Sequence, residues 1–208
     1  MTQKKTQIGM LAAILLSGIF ASCTNKGEKV VVADNETEVV VDTINTLPEY
    51  KYAGREQHIA AVYKYLVDSV GSKYTQGDIC IPQATIVKTD ETNSNDILVW
   101  GDFWVFNYKQ VGDTLKTLSG GNHPGLMHVK QVGKTAQVTK FEQVEDGAGN
   151  TASAKKIFGI NYNLFRKLCS EQKRDKVRAE VIADYVKRNK LSFTCFQDYG
   201  WEPVSIQE

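Results

Sequence analysis

The sequence predicts an α+β fold: a long N-terminal helix packed on a curved antiparallel sheet, with further helices at the C-terminal end. Three observations predict it. Apolar residues recur at three- and four-residue spacing through Arg55–Tyr74, the mark of one buried helical face. "ILVWGDFWVFNYKQ", residues 97–110, alternates with a period of two and is flanked by other strand-like runs on short connections. From Glu171 to Lys190 the pattern turns amphipathic again, with charges opposite the apolar stripe. Short connections make neighbouring strands antiparallel, because a parallel pair needs a crossover.

Each element follows from local chemistry. Residues 24–50 read as a polar tether in which "VVV" occurs twice, at 30–32 and 39–41, so that part of it can pair as a short strand. The domain is expected to span 51–208. In the first helix Ile59, Val62, Tyr63, Leu66, Val67 and Val70 form the stripe, His58 sits at its edge, and Gly71 supplies the stop. A strand runs through Ala84–Lys88, with Pro82 placing its start near an edge or bulge. In the next strand Leu98, Trp100, Asp102, Trp104, Phe106 and Tyr108 share one face. Ile97, Val99, Phe103 and Val105 share the other. Both faces are largely apolar, so this strand is central and covered on both sides. Turns are expected at Gly112–Asp113 and at Gly120–Gly125, then two strands, "LMHVKQ" and "AQVTKFEQVED", around a hairpin turn at Val132–Lys134. "NTASAKKIFG" starts the C-terminal helices, and "LSFTCFQDYGWEP" is a final extended segment.

"GLMHVKQVGKTAQVTKF", following an aromatic strand and an amphipathic helix, resembles the hairpin of NTF2-like (cystatin-like) domains. That resemblance covers Arg55–Glu145. It implies a cone-shaped sheet closed by the helix, and a pocket between them.

The N-terminus has its own logic. Lys4 and Lys5 precede thirteen apolar or small residues, Ile8–Phe20. That run is shorter than the ~20 residues a membrane-crossing helix needs. A basic start, a short apolar core and small residues at the exit are the parts of a secretion signal peptide. Ala21, Ser22 and Cys23 then complete "FASC", which resembles the lipobox of bacterial lipoproteins. The resemblance implies cleavage of residues 1–22, diacylglycerol and an acyl chain such as palmitate on Cys23, and a cell-envelope location. Thr24, a non-acidic residue after the cysteine, points to the outer membrane. The whole chain also resembles the small lipoproteins that gut-type bacteria encode. This implies location, not activity.

Removing residues 1–22 takes away Lys4 and Lys5 and no acid, so the formal charge of +1 becomes about −1. No basic excess is left to neutralise phosphates, and nucleic acid is not an expected partner. The expected partners are the membrane, through the lipid, and a small molecule or an envelope protein. With Cys23 acylated, Cys80, Cys169 and Cys195 remain. Cys169 and Cys195 can pair, or all three can be small buried residues.

Chemistry is sought on the Trp100 face. Trp100, Trp104 and Tyr108 are the candidate ligand-binding residues, because aromatic faces offer much contact area. Asp102, between two tryptophans, is expected to be partly desolvated, which suits acid–base work. The alternative is a solvated rim carboxylate, or one bonded to a backbone group or to Tyr108. His128 in "LMHV" reaches the same pocket in one register and is an exposed strand histidine in the other. His123 belongs to a loop, "GGNHPG". The acidic "QVEDGAGN" reads as a solvated turn. No metal or cofactor is expected, since no ligand spacing or phosphate loop is present. Three functions follow: a ligand- or partner-binding protein, a small-substrate enzyme using Asp102 and His128, or an assembly protein docking through the Glu171–Lys190 helix or an edge strand.

Overall fold

The alternating run from Ile97 becomes the axis of the sheet. A computed structural model describes residues 30–34, 37–41 and 46–206. The leader and Cys23 lie outside them. Two separate units are present. The first holds β1 (Val30–Asp34) and β2 (Thr37–Val41), antiparallel, with Val30 opposite Val41, Val31 opposite Val40 and Val32 opposite Val39. The second begins at Asn45, six positions before the expected domain start. Tyr50 is already buried there, and the Tyr185 hydroxyl donates to the Pro48 carbonyl at 2.7 Å.

In the second unit α1 (Gln57–Tyr65) continues through a π-helical turn, Leu66–Val70, and a 3₁₀ turn, Gly71–Lys73. Ile59, Val62, Leu66 and Val70 are buried, as the stripe requires. β3 (Ile79–Asp90) and β4 (Ile97–Val111) pair along nearly their whole lengths, with Cys80 opposite Asn107 and Asp90 opposite Leu98. The other edge of β4 is shared. β5 (Thr114–Asn122) takes its second half and β6 (Gly125–Val132) its first. β7 (Thr135–Gln143) extends the sheet beyond β6.

This overturns one expected turn. The β4–β5 hairpin reverses at Gly112–Asp113, with Gly112 at φ +63°, and the β6–β7 hairpin reverses at Gly133–Lys134. The chain does not reverse at Gly120–Gly125. β5 and β6 both run antiparallel to β4, interrupted only by His123–Pro124.

The C-terminal third adds α2 (Asn150–Phe158), α3 (Tyr162–Leu168), α4 (Glu171–Arg188), β8 (Cys195–Gln197) and β9 (Val204–Ser205). β8 joins β5 in parallel and β9 pairs with β8 antiparallel. The sheet is therefore mixed, with seven strands, not antiparallel throughout as expected. The 123–194 connection, through β6, β7 and the helices, is the crossover that a parallel pair needs.

Both faces of β4 are covered. On the odd-numbered face Phe103 packs edge-on against Phe141, which also meets Tyr65 of α1. On the even-numbered face stand the C-terminal helices. The Trp100 indole donates to the Ile157 carbonyl of α2 at 2.9 Å. Arg174 and Arg178 of α4 lie over the rings that follow along the strand.

The three described cysteines are free. Cys169 and Cys195 therefore do not pair. Burial pushes the thiols of Cys80 and Cys169 up to about 12, which keeps them protonated and unreactive.

Candidate functional site

The even-numbered face of β4 supplies the floor of a groove. Trp104 and Phe106 are two apart and share a face. Their rings stack with centroids 5.6 Å apart and planes 7° from parallel. Arg174 holds its guanidinium 4.6 Å from the Trp104 ring centroid, and Arg178 lies 3.8 Å from that of Phe106. The opposite wall is the C-terminal segment. After β8 the chain turns, the Trp201 amide donating to the Asp198 carbonyl at 3.2 Å, and Trp201 is left 76% exposed. The groove holds ≈ 420 Å³ and is also lined by Asp175, Phe196, Asp198, Glu202 and Val204.

Arg178 joins the two walls. Nε donates to the Tyr108 hydroxyl at 2.8 Å, and Nη1 and Nη2 form a fork on the Asp198 carboxylate at 2.8 Å each. Nη2 also donates to Thr117 Oγ1 at 2.6 Å. The guanidinium sits between the Phe106 and Phe196 rings, 3.8 and 4.3 Å from their centroids. A paired carboxylate with this geometry is a strong anchor. The hydrogen bond from Arg178 holds the Asp198 carboxyl below its usual range.

Of the aromatic residues singled out in the sequence, Trp104 lines the groove. Tyr108 is sealed behind it, with no exposed surface and a hydroxyl pushed up to about 12 by burial. It offers a ligand no area. Trp100 is half-buried beneath α2, with Lys88 Nζ 5.7 Å from its ring centroid.

Asp102 is 4% exposed. It accepts from Asn122 Nδ2 at 2.5 Å and from the Trp104 indole at 3.1 Å. It therefore holds Trp104 in place from below instead of facing the groove. Burial raises its carboxyl above the usual range. The bonds from Asn122 and Trp104 and the charge of Arg174 pull the other way without cancelling the shift. An acid with a raised folded pKa keeps its proton longer folded than unfolded. Stability is then highest below the unfolded pKa and falls as pH rises through the folded one. In urea titrations from acid to neutral pH, Asp102→Asn is expected to lack that fall. A fall of the same size in the variant would assign it to another group.

His128 is not Asp102's partner. It stands opposite Leu98, four residues and ~13 Å along β4 from Asp102 at ~3.3 Å per residue. Its Nδ1 lies 2.8 Å from Asp96 Oδ1 and its Nε2 3.0 Å from Glu142 Oε1. Both ring nitrogens are occupied by surface carboxylates. His123 marks the break between β5 and β6. Gln143 Nε2 donates to its Nδ1 at 2.7 Å, which leaves Nε2, 2.9 Å from the Tyr74 hydroxyl oxygen, to donate there. His58 is buried at the edge of the α1 stripe. Among the described residues no three His, Cys, Asp or Glu side chains are placed to hold a metal ion.

Comparison with protein-family models, with curated proteins and with solved structures finds no match. Sequence reading missed Arg178, Phe196 and Trp201 as parts of one site. For Arg178 a signal was present: it precedes Ile182 by four and Tyr185 by seven, on the inner stripe of α4. Nothing local in the sequence brings Trp201 to Trp104.

Proposed function

We propose that this chain is a lipid-anchored cell-envelope protein whose folded unit binds a small molecule or a protein partner in the Trp104–Trp201 groove. The observation that carries the binding reading is an exposed tryptophan facing a stacked Trp104–Phe106 floor across ≈ 420 Å³. Binding sites combine apolar walls with a few placed polar groups, and this groove has both. For the fold, we read α1 and β3–β7 as NTF2-like. The support is the order of an amphipathic helix, then long antiparallel strands around one central strand. In this reading the C-terminal helices occupy the face where such a cone would open.

The groove is tested by titrating the full chain with the neutral apolar dye Nile red and following dye emission. One saturable site is expected, weakened about tenfold by Trp104→Ala, with unchanged far-UV dichroism. Loss of dichroism in step with binding would make Trp104 a packing residue instead.

The location reading rests on Lys4, Lys5, the Ile8–Phe20 run and Cys23. Each buried methylene of an acyl chain contributes ~0.8 kcal/mol, and two or more chains hold a protein on a membrane. Cys23→Ala is expected to abolish incorporation of radioactive palmitate. Undiminished label would sink the lipoprotein reading.

A further inference from the structure

We infer that the groove takes a neutral carbohydrate, one sugar ring seated between Trp201 and the Arg174–Trp104 pair; this rests on the reading of the groove as a binding site. The charges there nearly balance, with Arg174 and Arg178 beside Asp175, Asp198 and Glu202. Arg178 is forked onto Asp198 at 2.8 Å, and Arg174 is near enough to Asp102 to draw that carboxyl's pKa down. Asp175 and Glu202 also line the groove. An anion meets these carboxylates, and the fork of Arg178 is already taken by Asp198. A cation meets two guanidiniums. A purely apolar ligand can use the aromatic floor but returns no hydrogen bond to Arg174, Asp175 or Glu202, so it binds more weakly than one that also carries hydroxyls.

A sugar ring fits both halves of the problem. Its C–H face packs on an indole, which supplies a broad, rigid contact at low entropy cost. Its hydroxyls donate to carboxylates and accept from a guanidinium, so planar groups such as Asp175, Glu202 and Arg174 suit its edge. Trp201 is the free wall. It is 76% exposed, and it follows Gly200, whose φ of +78° sets the turn.

The test uses the full chain in a detergent without a sugar headgroup. Tryptophan emission is followed during titration with cellotetraose, chitotetraose and maltotetraose, and separately with spermine and indoleacetate. A saturable blue shift is expected with at least one tetrasaccharide. Trp201→Ala is expected to weaken it about tenfold or more, as loss of a central aromatic anchor does. Trp201→Phe is expected to keep most of the affinity. Because Trp201 is largely exposed, its replacement leaves the fold intact, which far-UV dichroism checks. Saturation by spermine or indoleacetate alone overturns the sugar assignment and keeps the groove as a binding site. Silence from all five overturns it too, and the Nile red titration then decides separately whether the groove binds anything.

Discussion

Arg178→Ala is expected to destabilise the folded unit by about 3 kcal/mol. Removing one partner of a buried ion pair costs roughly 3–5 kcal/mol. Here the Asp198 side chain is 43% exposed, so water restores part of its hydration, and the loss falls near the lower bound. Three further effects keep it there. The fully buried Tyr108 hydroxyl loses its donor. Thr117 Oγ1 loses one too. The Phe106 and Phe196 rings lose the planar group packed between them. Arg178→Met restores that packing without the charge and is expected to recover part of the loss, since the stem and volume of arginine contribute on their own. Arg178→Lys is expected to recover less than its charge suggests, because a point charge cannot form the fork on Asp198. Urea midpoints with an unchanged slope provide the measurement. A loss under about 1 kcal/mol would place Arg178 with ordinary surface residues. The pair also sets a pH dependence. Asp198 has a depressed folded pKa, so its contribution is present above the unfolded carboxylate value and is lost as pH falls through the folded one. Arg178→Ala is expected to remove that acid-side loss.

Gly120→Ala is expected to cost about 3 kcal/mol, the upper part of the range for forcing atoms into a packed site. β5 lies so close to β4 here that a Cβ on Gly120 would run into the Val105 carbonyl oxygen, with the Phe106 Cα at 3.2 Å behind it. Both are backbone atoms of the central strand, and neither can swing aside. Gly112→Ala is the control. Nothing lies within 4 Å of its added methyl, and the cost is the ~1 kcal/mol of holding a side chain at positive φ. If the two variants lose equal stability, close strand approach is not what Gly120 provides.

Those two glycines show what the sequence could and could not convey. Glycine in "SGGN" and glycine in "VGDT" look alike as turn formers. One reverses the chain. The other lets two backbones touch, and only the partner strand reveals the difference. The β4 strand was legible because its alternation is a local property, and so was the burial of both its faces. The α1 stripe was legible for the same reason, as was the spacing that puts Ile182 and Tyr185 inward. The mixed sheet was not legible: β8 is three residues long and carries no local sign of the strand it joins. Trp104 could be picked out as an aromatic on a covered face. Its neighbours in the groove come from α4 and from the C-terminal turn, and no periodicity links them. Asp102 between two tryptophans is desolvated, yet its bonds to Asn122 and Trp104 give it a bracing task that the sequence does not disclose. His128, on paper its companion, is drawn off by Asp96 and Glu142, which a register alone does not disclose.

The parallel β5–β8 pair also sets an order in time. Thr114 and Cys195 meet across 81 residues of chain, whereas β3 to β7 each find a partner close by in sequence. Closing a long loop takes longer than zipping a hairpin, since its entropy must be lost before any contact rewards it. A chain that emerges N-terminus first can assemble the face against α1 early, and it completes the wall carrying Trp201 last. The groove is then the youngest part of each newly folded molecule. A ligand seated in it would stabilise the seam that joins the most distant parts of the chain.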